Sequence, residues 1–202
     1  MENLKYIDLF AGMGGFRAGF DAAGLECVFT SEIETHQQTM YESIHEDNNV
    51  QGDITKIKAE DIPTHDIMVG GIPCQPFSHN GKRTGFEHTD GNLFHEMERI
   101  AVDKRPEFVV IENVMGLMTI QKGKALGFML DSLSRLGYKL SFDLLNAQHF
   151  GLPQARKRIF IIGSKSVEEE KWEESPQKSV QAARERVLTY YPNIKTFNFD
   201  FI

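Results

Sequence analysis

The chain has 202 residues, 41% of them hydrophobic and 25% charged, with a formal net charge of −7. That balance suits one globular domain with a core of ordinary size and excludes disordered, collagenous and low-complexity classes. Two cysteines, Cys27 and Cys74, are too few for a secreted disulfide scaffold and are not spaced as a zinc site, so no metal is expected and a reducing cytoplasm is the expected location.

The sequence enters Leu4-Lys5-Tyr6-Ile7-Asp8 with no basic region ahead of an apolar stretch, and no run of about 18 apolar residues occurs, so neither export nor a membrane span is expected. Charge is unevenly spread. Residues 1–114 carry 9 basic against 20 acidic side chains, whereas residues 115–165 carry 8 against 2. The acidic total argues against a general polyanion binder. The basic stretch, which includes Lys122, Lys124, Arg135, Arg156, Lys157 and Arg158, either faces a phosphate backbone or forms a solvated positive surface.

In chain order, short apolar runs alternate with helical patterns: Tyr6–Phe10 then Phe16–Ala23, Glu26–Thr30 then Thr35–Ile44, Ile67–Val69 then Leu93–Val102, and Phe108–Ile111 then Leu126–Leu136. Strand, helix, strand at this spacing predicts βαβ crossovers and a mostly parallel sheet. The last two runs, Leu140–Leu145 and Ile159–Ile162, have no helix between them and should pair antiparallel at one edge. From Ser164 the composition turns charged, one more helix is expected over Val180–Leu188, and the sequence finishes on Phe197-Asn198-Phe199-Asp200-Phe201-Ile202.

Several motifs fall at the carboxyl ends of these strands, where open α/β sheets hold ligands. Phe10-Ala11-Gly12-Met13-Gly14-Gly15 follows the first strand and precedes a helix, a place where backbone approaches a nucleotide-like ligand, although its spacing is not the dinucleotide G-x-G-x-x-G. Glu32 ends the second strand, where a carboxylate can accept both hydroxyls of a ribose, and Asp53 is expected to end the third, where it could accept from an adenine amino group. Each acid alone is more often a helix cap or an exposed charge.

Cys74 follows the apolar strand Asp66–Gly71 within Pro73-Cys74-Gln75-Pro76-Phe77-Ser78. A lone cysteine is usually a buried hydrophobe, but a proline-stiffened loop holding a thiol at a sheet edge is a way to present a nucleophile. Glu112-Asn113 ends the strand that starts at Phe108, and a desolvated carboxyl there can carry a raised pKa and share a proton. In Gln154-Ala155-Arg156-Lys157-Arg158, two-residue alternation puts Arg156 and Arg158 on one side of an extended chain, as an electrophile or anion clamp.

This ordered set, completed by Gly52-Asp53-Ile54 and Glu112-Asn113-Val114, resembles the DNA (cytosine-5)-methyltransferase family over residues 4–163. The resemblance implies a Rossmann-like α/β methyltransferase fold that uses S-adenosylmethionine, yields S-adenosylhomocysteine and acts on DNA. It implies catalytic roles for Cys74 as nucleophile, Glu112 at the pyrimidine edge, Arg158 at the base carbonyl, and Arg156 in support of Glu112. It implies cofactor contacts from Phe10, Gly12, Gly14, Glu32, Ile33, Asp53, Ile54, Pro73 and Leu93. A setting in restriction-modification, in a bacterial or phage-like cytoplasm and on the nucleoid, follows from the same likeness.

Carbon 5 of cytosine is a poor nucleophile, so covalent attack by a thiolate on carbon 6 is needed to activate it, and the base must first be flipped out of the duplex. Family members carry a variable target-recognition region and two further motifs after the last arginine motif, and these are not found here. The expected organisation is therefore a catalytic domain over 1–163 and a charged tail over 164–202 leading to a missing recognition region. Three readings follow: the catalytic part of a split or truncated enzyme with a separate target-recognition subunit, a catalytically silent S-adenosylmethionine-binding relic or regulatory module, and an RNA cytosine-5 methyltransferase.

Overall fold

Alternation of strands and helices is what the fold delivers. A computed structural model of the chain describes residues 3–73 and 93–165. Its strands are β1 (Lys5–Leu9), β2 (Glu26–Ser31), β3 (Val50–Gln51), β4 (Ile67–Gly71), β5 (Phe108–Val114), β6 (Lys139–Asn146) and β7 (Lys157–Ser164); its helices are α1 (Gly15–Ala22), α2 (Thr35–His45), α3 (Leu93–Lys104) and α4 (Lys124–Arg135). Cys74, the expected helix Val180–Leu188 and the aromatic end Phe197–Ile202 lie outside the described residues.

The described residues fall into two compact units, 3–73 with 93–111, and 112–165. In the first, the strand order is β3-β2-β1-β4-β5, and β1 pairs parallel with both β2 and β4 while β2 pairs parallel with β3. Of these, β1 and β4 are buried along nearly their whole length, as expected of strands with both faces covered. Tyr6, Ile67 and Val69 form a buried cluster against Phe16 and Phe20 of α1, while Met97, Ile100 and Ala101 bury one stripe of α3 at helical spacing. Close approach is required at Gly70, where a Cβ would stand 3.2 Å from Met97 Sδ and 3.3 Å from the Leu9 carbonyl oxygen.

In the second unit, β7 stands between β5 and β6. The expected antiparallel pair is present, with Leu145 opposite Arg158 and Leu140 opposite Gly163. Helix α4 buries Ala125, Leu126, Met129, Leu130 and Leu133 along one face.

Three boundaries differ from expectation for local reasons. β3 is only two residues long, and Asp53 stands beyond it as the cap of a 3-10 turn, Ile54–Lys56, because its side chain accepts from the Thr55 amide. β5 continues to Val114, so Glu112 and Asn113 lie inside the strand and not after it. β7 starts at Lys157, which leaves Arg156 just outside it.

Candidate active site

In the first unit, the chain leaves β1 through three left-handed residues, Phe10 (φ 55°), Gly12 (φ 59°) and Gly14 (φ 82°), before α1 begins. For a residue as bulky as phenylalanine this conformation costs about 1–2 kcal/mol, so the turn is shaped for more than its own stability. The two glycines serve different ends. A Cβ on Gly14 would overlap the His45 imidazole and stand 2.9 Å from Tyr41 Cε2, so Gly14 lets the turn close onto α2. Gly12 is roomier, 3.3 Å from Gln37 Oε1, and its amide donates to Glu32 Oε2 at 2.8 Å.

Glu32 directly follows β2 and is buried. Its other oxygen accepts from the Glu34 amide at 2.9 Å. Each oxygen takes one backbone N–H, and each keeps acceptor capacity for a further donor such as one of a pair of hydroxyls. Next to it, Ile33 is 63% exposed, an apolar side chain standing free beside the acid.

The Asp53 Oδ1 accepts from the Thr55 amide at 3.0 Å and from the Thr55 hydroxyl at 2.7 Å, while Oδ2 is 3.3 Å from Lys56 Nζ. The Thr55 hydroxyl, above all, holds this carboxyl below the usual range. Ile54 is buried, so its side chain belongs to the core. Leu93 opens α3 with Phe94 fully buried behind it, and Pro73 is exposed just after β4.

In the second unit, Arg158 Nε on β7 donates to Glu112 Oε1 on β5 at 2.8 Å. Burial pushes the Glu112 carboxyl up, and the positive charges of Arg158 and Arg156 and the Arg158 hydrogen bond oppose it. Arg158 is further fixed by its Nη1, which donates to the Lys157 carbonyl at 2.9 Å. Arg156 is exposed and reaches Glu112 through charge alone.

Sequence reasoning passed over two side chains that the structure makes prominent. Asp8 is fully buried in β1 and neither carboxyl oxygen has a hydrogen-bond partner of normal geometry. Burial raises its pKa to about 7, opposed by the Arg17 guanidinium and amide and reinforced by the Glu32 charge. A single acid inside the apolar run Tyr6-Ile7-Asp8-Leu9 was the available signal. Arg99 on α3 is the other, and nothing local to its helix marks it.

A parallel sheet whose first strand enters a glycine turn, with an acid after the second strand, and an antiparallel pair in the second unit characterise a Rossmann-like methyltransferase fold. Solved structures share it: the Schizosaccharomyces pombe Dnmt2 methyltransferase has a TM-score of 0.67 at 21% identity, covering 84% of this chain and 53% of that one. The Entamoeba histolytica methyltransferase EhMeth gives 0.68 at 15% identity, covering 84% and 55%.

Within that class, the family model of the C-5 cytosine-specific DNA methylases matches residues 4–198, and the chain belongs to this family. The Type II methyltransferase M.NgoBV of Neisseria gonorrhoeae is 45% identical over 190 residues, 87% of this chain and 45% of that protein. M.MspI of Moraxella sp is 45% identical over 164 residues, 80% of this chain and 38% of that protein. The chain thus spans less than half the length of these two relatives. Among the described residues no helix is long and apolar enough to cross a membrane, and no cluster of His, Cys, Asp and Glu could hold a metal ion.

Proposed function

We propose that this chain is the catalytic part of a DNA cytosine-5 methyltransferase that acts on a flipped-out cytosine through a covalent Cys74 adduct. The observation that carries the reading is the Glu112–Arg158 pair at 2.8 Å, with the acid held above its ordinary pKa by burial, in a member of this family.

S-adenosylmethionine would supply an activated methyl group, leaving as S-adenosylhomocysteine. The residues of the first unit suit it: Glu32 keeps acceptor capacity on both oxygens for the ribose hydroxyls, Ile33 offers an exposed apolar side chain, and the Phe10–Gly14 turn has the backbone shape that lets a ligand come close. Asp53 would accept from the adenine amino group, with Ile54, Pro73 and Leu93 beside it.

In this reading the Cys74 thiolate bonds to carbon 6 of the cytosine and the electrons of the 5,6 double bond move toward carbon 5. Glu112, poised to hold or share a proton, meets ring nitrogen 3, and Arg158 donates to the base carbonyl, so the charge that builds on the ring falls on prepared partners. Carbon 5 is then electron-rich enough to take an electrophilic methyl. Loss of the carbon 5 proton and expulsion of the thiolate restore the aromatic ring. Arg156 supports the pair by its charge, and extrusion of the base costs a few kcal/mol that phosphate contacts from the basic residues of 115–165 would offset.

Because the chain covers less than half of M.NgoBV and M.MspI, sequence recognition in this reading comes from a separate target-recognition subunit or segment. The test is transfer of labelled methyl groups from S-adenosylmethionine to DNA, by this chain alone and mixed with the product of the adjacent reading frame. Cys74→Ala should abolish transfer while leaving S-adenosylhomocysteine binding near wild type; equal loss of both would remove Cys74 from the nucleophile role. Trapping on 5-fluorocytosine should occur with DNA, and trapping on RNA alone would overturn the substrate assignment.

A further inference from the structure

We propose that Arg99 is a positioning residue for adenine recognition, setting the orientation of the Asp53 carboxylate from helix α3. The inference rests on the proposed reading of Asp53 as the acceptor of an adenine amino group. Arg99 lies on a different element, and no sequence motif led to it.

The geometry centres on a single peptide unit, that joining Ile54 to Thr55. Its N–H end, the Thr55 amide, donates to Asp53 Oδ1 at 3.0 Å. Its C=O end, the Ile54 carbonyl, accepts from Arg99 Nη2 at 3.2 Å. The same Nη2 reaches the Ile57 carbonyl at 2.9 Å, where the 3-10 turn ends. One guanidinium therefore grips both ends of the turn that Asp53 caps.

The guanidinium is itself fixed. Glu96, one helical turn earlier on α3, accepts from Arg99 Nε at 2.9 Å and from Nη2 at 2.6 Å. Arginine suits this because its planar fork holds Nε and one Nη2 hydrogen on Glu96 while the other Nη2 hydrogen is shared between the two carbonyls, whereas a lysine ammonium has three donors but no fixed plane and would hold the carbonyls less rigidly. Further along the same helix, Lys104 Nζ donates to the Glu60 carbonyl at 3.2 Å, so α3 holds two successive turns of this connection. Leu93 opens that helix. Arg99 thereby ties the acid expected at the adenine edge to the helix whose first residue is expected to pack on the cofactor.

Without Arg99, the Ile54 carbonyl would keep only the Ile57 amide within its own turn, so the turn would lose its tie to α3 and the Asp53 carboxylate its fixed orientation. Overall affinity would fall somewhat, but the specific loss would be discrimination at the adenine amino position. A residue that merely stabilised the fold would not change that ratio.

The experiment measures binding of S-adenosylhomocysteine and S-inosylhomocysteine, in which a carbonyl replaces the amino group, by calorimetry on the full 202-residue chain. Wild type should prefer the adenosyl compound by at least about tenfold, the scale of one hydrogen bond to a charged group. Arg99→Met should cut the preference below about threefold, and Arg99→Lys should restore part of it.

If wild type discriminates and Arg99→Met discriminates equally, the positioning role is refuted while the adenine reading stands. If wild type shows no preference, the Asp53 reading fails and this inference with it. Should Arg99→Met not fold, Arg99→Lys decides: a preference equal to wild type overturns the proposal, and a reduced one supports it.

Discussion

Asp8→Asn removes a titratable group from the centre of the sheet with almost no change of shape. In the folded chain the Asp8 carboxyl titrates at about 7 because burial disfavours its charged form, against 3.8 when free. The folded state therefore holds a proton on Asp8 through a pH range in which the unfolded state has released it, and stability must fall as pH rises from about 4 to about 7, levelling above. A difference of about three pH units corresponds to about 4 kcal/mol in total, of which about 3 kcal/mol accrues between pH 5 and pH 8.

Asparagine cannot ionise, so the variant lacks this contribution whatever the other groups do. Urea unfolding of both proteins at pH 5, 6, 7 and 8 should show wild type losing about 3 kcal/mol relative to Asp8→Asn across the series. A gap constant to within about 0.5 kcal/mol, or one that moves in favour of wild type as pH rises, would refute the reasoning.

Gly14→Ala combines a left-handed backbone with a Cβ that would overlap His45 and crowd Tyr41, and should cost at least about 2 kcal/mol in urea unfolding, from the conformation and from the clash. Gly15→Ala serves as the comparison, since a Cβ there meets nothing within 4 Å. Arg158→Met leaves Glu112 without its direct partner. The pKa of Glu112, already raised by burial, should rise further in carboxyl NMR titration, and methyl transfer should fall by about 10² or more.

Much of the architecture was legible because periodicity reports burial. Short apolar runs and helical patterns located the four helices and six of the seven strands of the described residues within a few residues. The third strand shows the limit. Val50–Gln51 makes only two residue pairs with β2, too short to leave a pattern, so Asp53 was placed on a strand when Thr55 had made it a turn cap.

Glu112 and Arg158 were found from their positions on strands, and the structure joins them. Arg156 was expected to share that side by strand alternation, but the alternation rule holds only within a strand, and β7 starts one residue later. The other residues that matter here have long-range partners. Arg99 is 45 residues from Ile54, and Gly14 presses on a helix some thirty residues away. Contacts of that separation leave no trace in local spacing.

The antiparallel strand that carries Arg158 is an interior one, flanked by β5 and β6. A slip of one residue along β6 would turn every side chain of β7 over, carrying the guanidinium away from its acid. Gly163 guards against that slip. A Cβ there would sit 3.0 Å from Leu140 Cδ2 and 3.1 Å from Tyr138 Cβ, so any larger residue opposite Leu140 would crowd both neighbours. Lengthening the connection between the two strands should be tolerated, whereas a single residue inserted inside either would disarm the chemistry without touching any reactive group.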